Sequence, residues 1–96
     1  MKKKELEIII NDKKYEVVEN DDNCLDLEEL YEKATDYFYD YDYIFGDYAY
    51  EKLRLKGYYD SKNKKAKPIN DIKYLEDYKK NYCSYGSKTF LIKKVD

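Results

Sequence analysis

At 96 residues, with 43% hydrophobic and 42% charged side chains, the chain has the size of one domain spanning 1–96 and is too apolar to be a disordered polymer. A formal charge of −2 and a pI near 5.3 oppose a dedicated nucleic-acid binder, and the absence of His removes the commonest general base. So short a chain buries only roughly two thirds of its unfolded surface, which excludes a large internal cavity and directs any ligand to a surface cleft or face.

Met1 to Lys4 resemble the basic start of a signal peptide, but Glu5 and Glu7 interrupt the apolar stretch that would have to follow, so a cytoplasmic protein is expected. No run approaches the length of a membrane span. Leu6–Ile10 and Tyr15–Glu19 are rich in Ile, Val and Tyr and predict a hairpin, joined through Asn11 and Asp12, residue types that tolerate turn geometry. Asn20 to Asn23 form a polar turn. Asp26 with Glu29 three residues on has the form of a capping box and opens a helix, whose stripe is Leu27, Leu30, Tyr31, Ala34 and Phe38. The helix fades near Asp40 to Asp42.

Tyr43 to Phe45 begin a strand that ends at Gly46. From Lys52 to Tyr58, Leu53 and Leu55 alternate with Lys52, Arg54 and Lys56, giving a strand with one core face and one positive face. Asp60 to Lys67 is a Lys-rich loop closed by Pro68, expected to be the least ordered stretch. A second helix follows from about Asn70 or Asp71, with Ile72, Leu75, Tyr78 and Tyr82 inward and Gly86 placed to terminate it. Thr89 to Val95 is the last strand. The order β-β-α-β-β-α-β gives an α+β fold: a mainly antiparallel sheet with two helices on one face as the simplest packing.

Only Cys24 and Cys83 occur, without paired metal-ligand spacing, so free thiols are expected, Cys83 being buried at an apolar helix end. Lys79 and Lys80 precede Cys83, and they would lower its pKa if it were exposed. Charge is segregated along the chain. From Tyr15 to Glu51 there are thirteen acids and one base, Lys33; from Lys52 to Lys94 there are thirteen bases and four acids. Either the two halves neutralise one another across the fold, or one of them meets a polar partner.

The densest pattern runs from Tyr41 to Tyr59: Asp42-Tyr43-Ile44, the Gly46-Asp47 pair, Tyr48, then Leu53-Arg54-Leu55-Lys56-Gly57 and two aromatics. Downstream, Tyr82-Cys83-Ser84-Tyr85-Gly86 precedes the final strand. Together these resemble the signature of the YutD-like family, small proteins of low-GC Gram-positive bacteria, over nearly the whole chain. Family members commonly carry Trp where this chain has Tyr48, and Gly where it has Ala49. The resemblance implies a fold and no particular activity.

Arg54 is the only Arg among nineteen basic residues. Lys would satisfy a demand for charge alone, whereas Arg offers a planar fork matched to a carboxylate or phosphate. That fork either pairs with Asp47 or Glu51 across the hairpin or grips a phosphate or carboxylate of a partner. Gly46 and Gly57 are structural first, permitting a turn, a bulge or a close approach, and neither belongs to a phosphate-cradling loop. Asp40, Asp42 and Asp47 are oxygen-rich but do not match a calcium loop, so no metal and no cofactor is expected. Lys52, Arg54, Lys56, Lys62, Lys64, Lys65 and Lys67 lie beside Tyr48, Tyr50, Tyr58 and Tyr59, a composition found where proteins track an RNA backbone and stack on bases.

The function that follows is a non-enzymatic accessory module binding a protein or ribonucleoprotein through the basic strand face. Its partner-binding candidates are Asp47, Tyr48, Tyr50, Lys52, Arg54, Lys56, Tyr58, Lys64 and Lys65. The alternatives are RNA binding through Lys, Arg and Tyr, and a homo-oligomeric structural protein pairing through the edge of the first hairpin.

Overall fold

The structure, a computed structural model, describes residues 7–10, 12–49, 51–82 and 87–95. β1 (Glu7–Ile10) turns back into β2 (Lys13–Asn20) at Asp12, which adopts a left-handed φ of 70° that Asp tolerates better than most side chains. A second hairpin joins β3 (Tyr43–Ala49) to β4 (Lys52–Tyr58), with Glu51 at a φ of 65°. β5 (Thr89–Lys94) inserts between the hairpins, so the sheet runs β1-β2-β5-β3-β4 with every neighbouring pair antiparallel. As the central strand β5 is covered on both sides, which is why Phe90, Leu91 and Ile92 form an unbroken apolar run. β1 and β4 are the edges.

The α+β class and the order of strands and helices are as the sequence predicts. The placement of both helices on one face is corrected, because strand alternation sorts the core into two clusters. Ile8, Ile10, Tyr15, Ile44, Leu53, Phe90 and Ile92 point to one side and pack with Leu30 of α1 (Leu27–Lys33) and with Ala34 and Phe38. Phe45, Tyr58 and Leu91 point to the other and pack with Leu75 of α2 (Leu75–Tyr82). The central strands are apolar on both faces, so each face requires a cover and a single layer of helices leaves one bare.

Asp26 caps α1 by accepting from the Glu29 backbone N–H at 3.3 Å. The helix is shorter than its apolar stripe implies. It ends at Lys33, and a separate 3-10 turn, Asp36–Phe38, returns Phe38 to the same cluster while Tyr31 stands exposed. A helix and a 3-10 turn advance by similar angles per residue, so spacing alone does not separate one long helix from two short ones. Asp71 caps the second helical segment by accepting from the Lys73 N–H, and a 3-10 turn, Ile72–Tyr74, precedes α2. Tyr82, expected inward, is exposed; Gly86 lies outside the described residues.

β3 does not stop at Gly46 but runs on to Ala49. The glycine serves packing: a Cβ there would lie 2.2 Å from Cζ of Phe90, which is fully buried and lies across it. Gly57 accommodates the Tyr41 ring likewise, a Cβ falling 2.3 Å from its Cγ. The Lys-rich loop is also not the loose segment expected. Asp42 Oδ2 accepts from the Asp60 N–H and from Asn63 Nδ2, Asn63 Oδ1 accepts from the Lys65 N–H, and Tyr59 exchanges backbone hydrogen bonds with Asn70 and Ile72. These Asx contacts fix the loop, although its composition reads as solvated coil. No described helix is long and apolar enough to cross a membrane.

Candidate functional site

The register of β3 and β4 sets Asp47 directly opposite Arg54 on the α2 face. Arg54 Nε donates to Asp47 Oδ1 at 3.2 Å and Nη2 donates to Oδ2 at 2.5 Å, so the fork meets the carboxylate with two parallel bonds. The Asp47 side chain is only 3% exposed and that of Arg54 is 48% exposed. This is the intramolecular pairing with Asp47 that the sequence left open. A surface pair would contribute little, but a carboxylate this buried depends on its guanidinium.

The same logic extends along the chain. Arg54–Asp47, Lys65–Asp40, Lys79–Glu19 and Lys88–Asp22 each join the acidic first half to the basic second half. These pairs neutralise four of the thirteen acids of the first half across the fold. Lys88 holds the Asp22 carboxyl below its ordinary range, and Asp22 in turn raises the Lys88 ammonium.

The nine partner-binding candidates do not form one patch. Lys52, Arg54 and Lys56 share the outward row of β4, as alternation requires, with Lys52 and Arg54 exposed. Lys56 is half-buried: its Nζ donates to the Ile69 carbonyl at 2.8 Å and lies 4.6 Å from the Tyr58 ring centre. Tyr58 is 1% exposed and belongs to the core. Tyr48 lies on the opposite face, its hydroxyl donating to the Cys24 carbonyl at 2.9 Å. Lys64 and Lys65 sit beyond the far end of β4, with Lys65 tied to Asp40. Arg54 to Tyr58 alone spans roughly 13 Å of extended chain. Tyr50 lies outside the described residues.

The chemistry-bearing groups have structural duties. Asp40 accepts from Tyr59 and Lys65, Asp42 from Asp60 and Asn63, and Asp71 from Ser61 and Lys73. Among the described residues, no group of three or more His, Cys, Asp or Glu side chains is arranged to hold a metal. Cys24 is a free thiol that donates to the Thr89 carbonyl; burial pushes its pKa up, away from a reactive thiolate. Cys83, the other cysteine considered for reactivity, lies outside the described residues.

Sequence reasoning missed one feature. Beside α2 and the outer side of β4 is a cleft of about 530 Å³ whose lining includes Lys56, Pro68, Ile69, Tyr74, Tyr78 and Tyr82. The signal is the four-residue spacing of Tyr74, Tyr78 and Tyr82, but in the sequence the last two of these tyrosines read as part of an inward stripe.

The family model described as "Putative antitoxin YutD-like" matches residues 9–93. A protein of Bacillus subtilis (strain 168) described as "Putative antitoxin YutD" is 35% identical over 88 residues, covering 92% of this chain and 97% of that one. The solution NMR structure of YutD from B. subtilis matches this fold with a TM-score of 0.78 at 35% identity, covering 99% of this chain and 86% of that chain.

Proposed function

The chain belongs to the YutD-like family, and from that premise we propose that it is a non-enzymatic accessory module of the cytoplasm that binds a macromolecular partner through the outward face of β4. The observation that carries this reading is Arg54: half of its side chain is open to solvent, yet its orientation is fixed by a buried carboxylate on the neighbouring strand. An Arg held in one pose meets a partner with less loss of side-chain freedom than a mobile Lys. Lys52 is exposed beside it, and Lys64 extends positive charge beyond the far end of the strand. The relative is described as a "Putative antitoxin"; carried to this chain, that description favours a protein partner whose activity the module restrains by binding it.

Arg54→Ala is a poor test, because it also removes the guanidinium from the buried Asp47 carboxylate and so disturbs the fold. The better variant is Lys52→Glu combined with Lys64→Glu, which reverses charge at two exposed sites outside the ion pairs described above. Affinity capture of the tagged chain from its native cell, with and without nuclease, is expected to retain a protein after nuclease treatment and to lose it in the double variant at unchanged Tm. Release of the partner by nuclease would turn the reading to RNA. Full retention by the variant would remove the strand face. Two of the four tyrosines that the RNA alternative draws on, Tyr58 and Tyr59, are buried at 1% and 7% exposure, which favours the protein reading.

A further inference from the structure

We infer that the cleft between α2 and β4 is the seat of a short segment of the protein partner in which an acidic residue adjoins an apolar or aromatic one. This rests on the protein-binding reading above and names what that partner must carry.

Lys56 sets the electrostatic requirement. Its ammonium is half-buried, donates to the Ile69 carbonyl, and lies over the Tyr58 and Tyr78 rings at 4.6 and 5.5 Å. Of the other cations against this face, Arg54 has Asp47 and Lys79 has Glu19 and Glu76, while Lys93 lies over Tyr43 away from the cleft lining. Among the described residues no carboxylate forms an ion pair with Lys56, although Asp77 stands on the rim of the same cleft. Ring faces and a carbonyl offset part of the cost of withdrawing an ammonium from water, but not all of it. Desolvation accordingly pushes the Lys56 pKa below the ordinary lysine value. A carboxylate entering the cleft supplies the missing counter-charge.

The walls set the apolar requirement. Ile69 is 73% exposed and Tyr82 is 68% exposed, and with Pro68 they give the cleft that holds the cation an exposed apolar lining. At about 530 Å³ the cleft falls in the range that accepts one or two side chains or a small ligand. It lies along the edge strand, on the face that carries Lys52 and Arg54. A chain seated there therefore leads onto the row proposed to hold the same partner.

The test is a ¹H–¹⁵N titration of the full chain with a capped pentapeptide carrying phenylalanine, glutamate and leucine between terminal glycines. Shifts are expected at the amides of Lys56, Ile69, Asp77, Tyr78 and Tyr82. Replacing the peptide's glutamate by glutamine, or Lys56→Met in the protein, is expected to weaken binding by about tenfold, the worth of one charge-assisted contact. Tyr82→Ala, at an exposed position that leaves the core intact, should weaken it as well. Absence of these shifts at saturating peptide, equal affinity of the glutamine peptide, or equal affinity of free 3-phenylpropionate would overturn the inference, as would displacement of the peptide by a single-stranded RNA oligomer. If Lys52→Glu with Lys64→Glu abolishes partner capture while the cleft stays silent, only the cleft fails. If the cleft binds while capture is indifferent to those charges, only the strand-face reading fails.

Discussion

The two faces of the sheet are built on different principles. The α1 face is dry: ten buried residues form one cluster, and Phe90 and Tyr41 lie directly over Gly46 and Gly57. Among the described residues the hydrophobic cluster of the α2 face has only four buried members, and around them cations lie against rings or acids: Lys56 on Tyr58 and Tyr78, Lys79 on Phe45, Lys93 on Tyr43, Arg54 on the buried Asp47. Apolar burial holds the first face in one arrangement. The second leaves charge and aromatic surface within reach of solvent, which is what recognition requires and what a dry core cannot provide.

Truncating one leucine under each helix tests this contrast most strongly. Leu30→Ala empties a fully buried site in the larger of the two clusters and is expected to cost about 4 kcal/mol, near the top of the range for such changes. Leu75→Ala, beside the partly exposed Ile72 and Tyr78 that can move into the space, is expected to cost about 2–3 kcal/mol. Urea denaturation measures both. Equal losses would mean that the α2 face is packed as rigidly as the other.

The ion pair gives the next largest effect. Arg54→Ala removes the only guanidinium from a carboxylate that is 3% exposed, and because Arg54 itself is half open to water the cost is expected at about 2–3 kcal/mol rather than the full buried-pair value. Adding Asp47→Ala should restore part of that stability, since the buried charge is then removed along with its guanidinium. If the double variant is no better than the single, the pair acts through the packing of the Arg stem and not through its charge.

The two faces also differ in how far the sequence discloses them. β2, β4 and β5 follow alternation or an apolar run, and Asp26 and Asp71 mark their helices, because each signal depends on neighbours close in the chain. Gly46 reads as a strand end because its true cause, the Phe90 ring, comes from a strand 44 residues away. The side of the sheet taken by α2 depends on that same insertion of β5. Arg54 stands out in the sequence by being unique, and Asp47 and Glu51 are both within its reach across the hairpin; which acid it takes is a matter of register. The cleft was illegible because Tyr74, Tyr78 and Tyr82 look alike in a periodic pattern whether they line a core or a groove.

The smallest effect lies on the border of the α1 face, where the dry cluster meets polar groups. The Tyr59 hydroxyl donates to Asp40 Oδ2 at 2.7 Å, Lys65 donates to both oxygens of the same carboxylate, and the Tyr41 and Tyr59 rings lie 4.7 Å apart. Its hydrogen bond to Asp40 pushes the Tyr59 pKa from 10.0 up to about 12, while Lys65 first and Tyr59 second hold Asp40 below its ordinary 3.8. A raised phenol stabilises the fold fully below pH 10, and that contribution is lost as pH rises through about 12. A lowered carboxyl contributes above pH 3.8 and loses its effect as pH falls beneath it. Tyr59→Phe is therefore expected to lower Tm modestly at neutral pH, Asp40 being exposed to solvent screening, with the gap from wild type closing between pH 10 and about 12. Tm measured across that window, alongside the ultraviolet tyrosinate band, decides it. No gap from wild type at neutral pH would show that the ring's packing on Tyr41, which Phe retains, and not its hydroxyl, is what Tyr59 contributes, and a gap that stays constant through pH 12 would show that the hydroxyl acts otherwise than through its bond to Asp40.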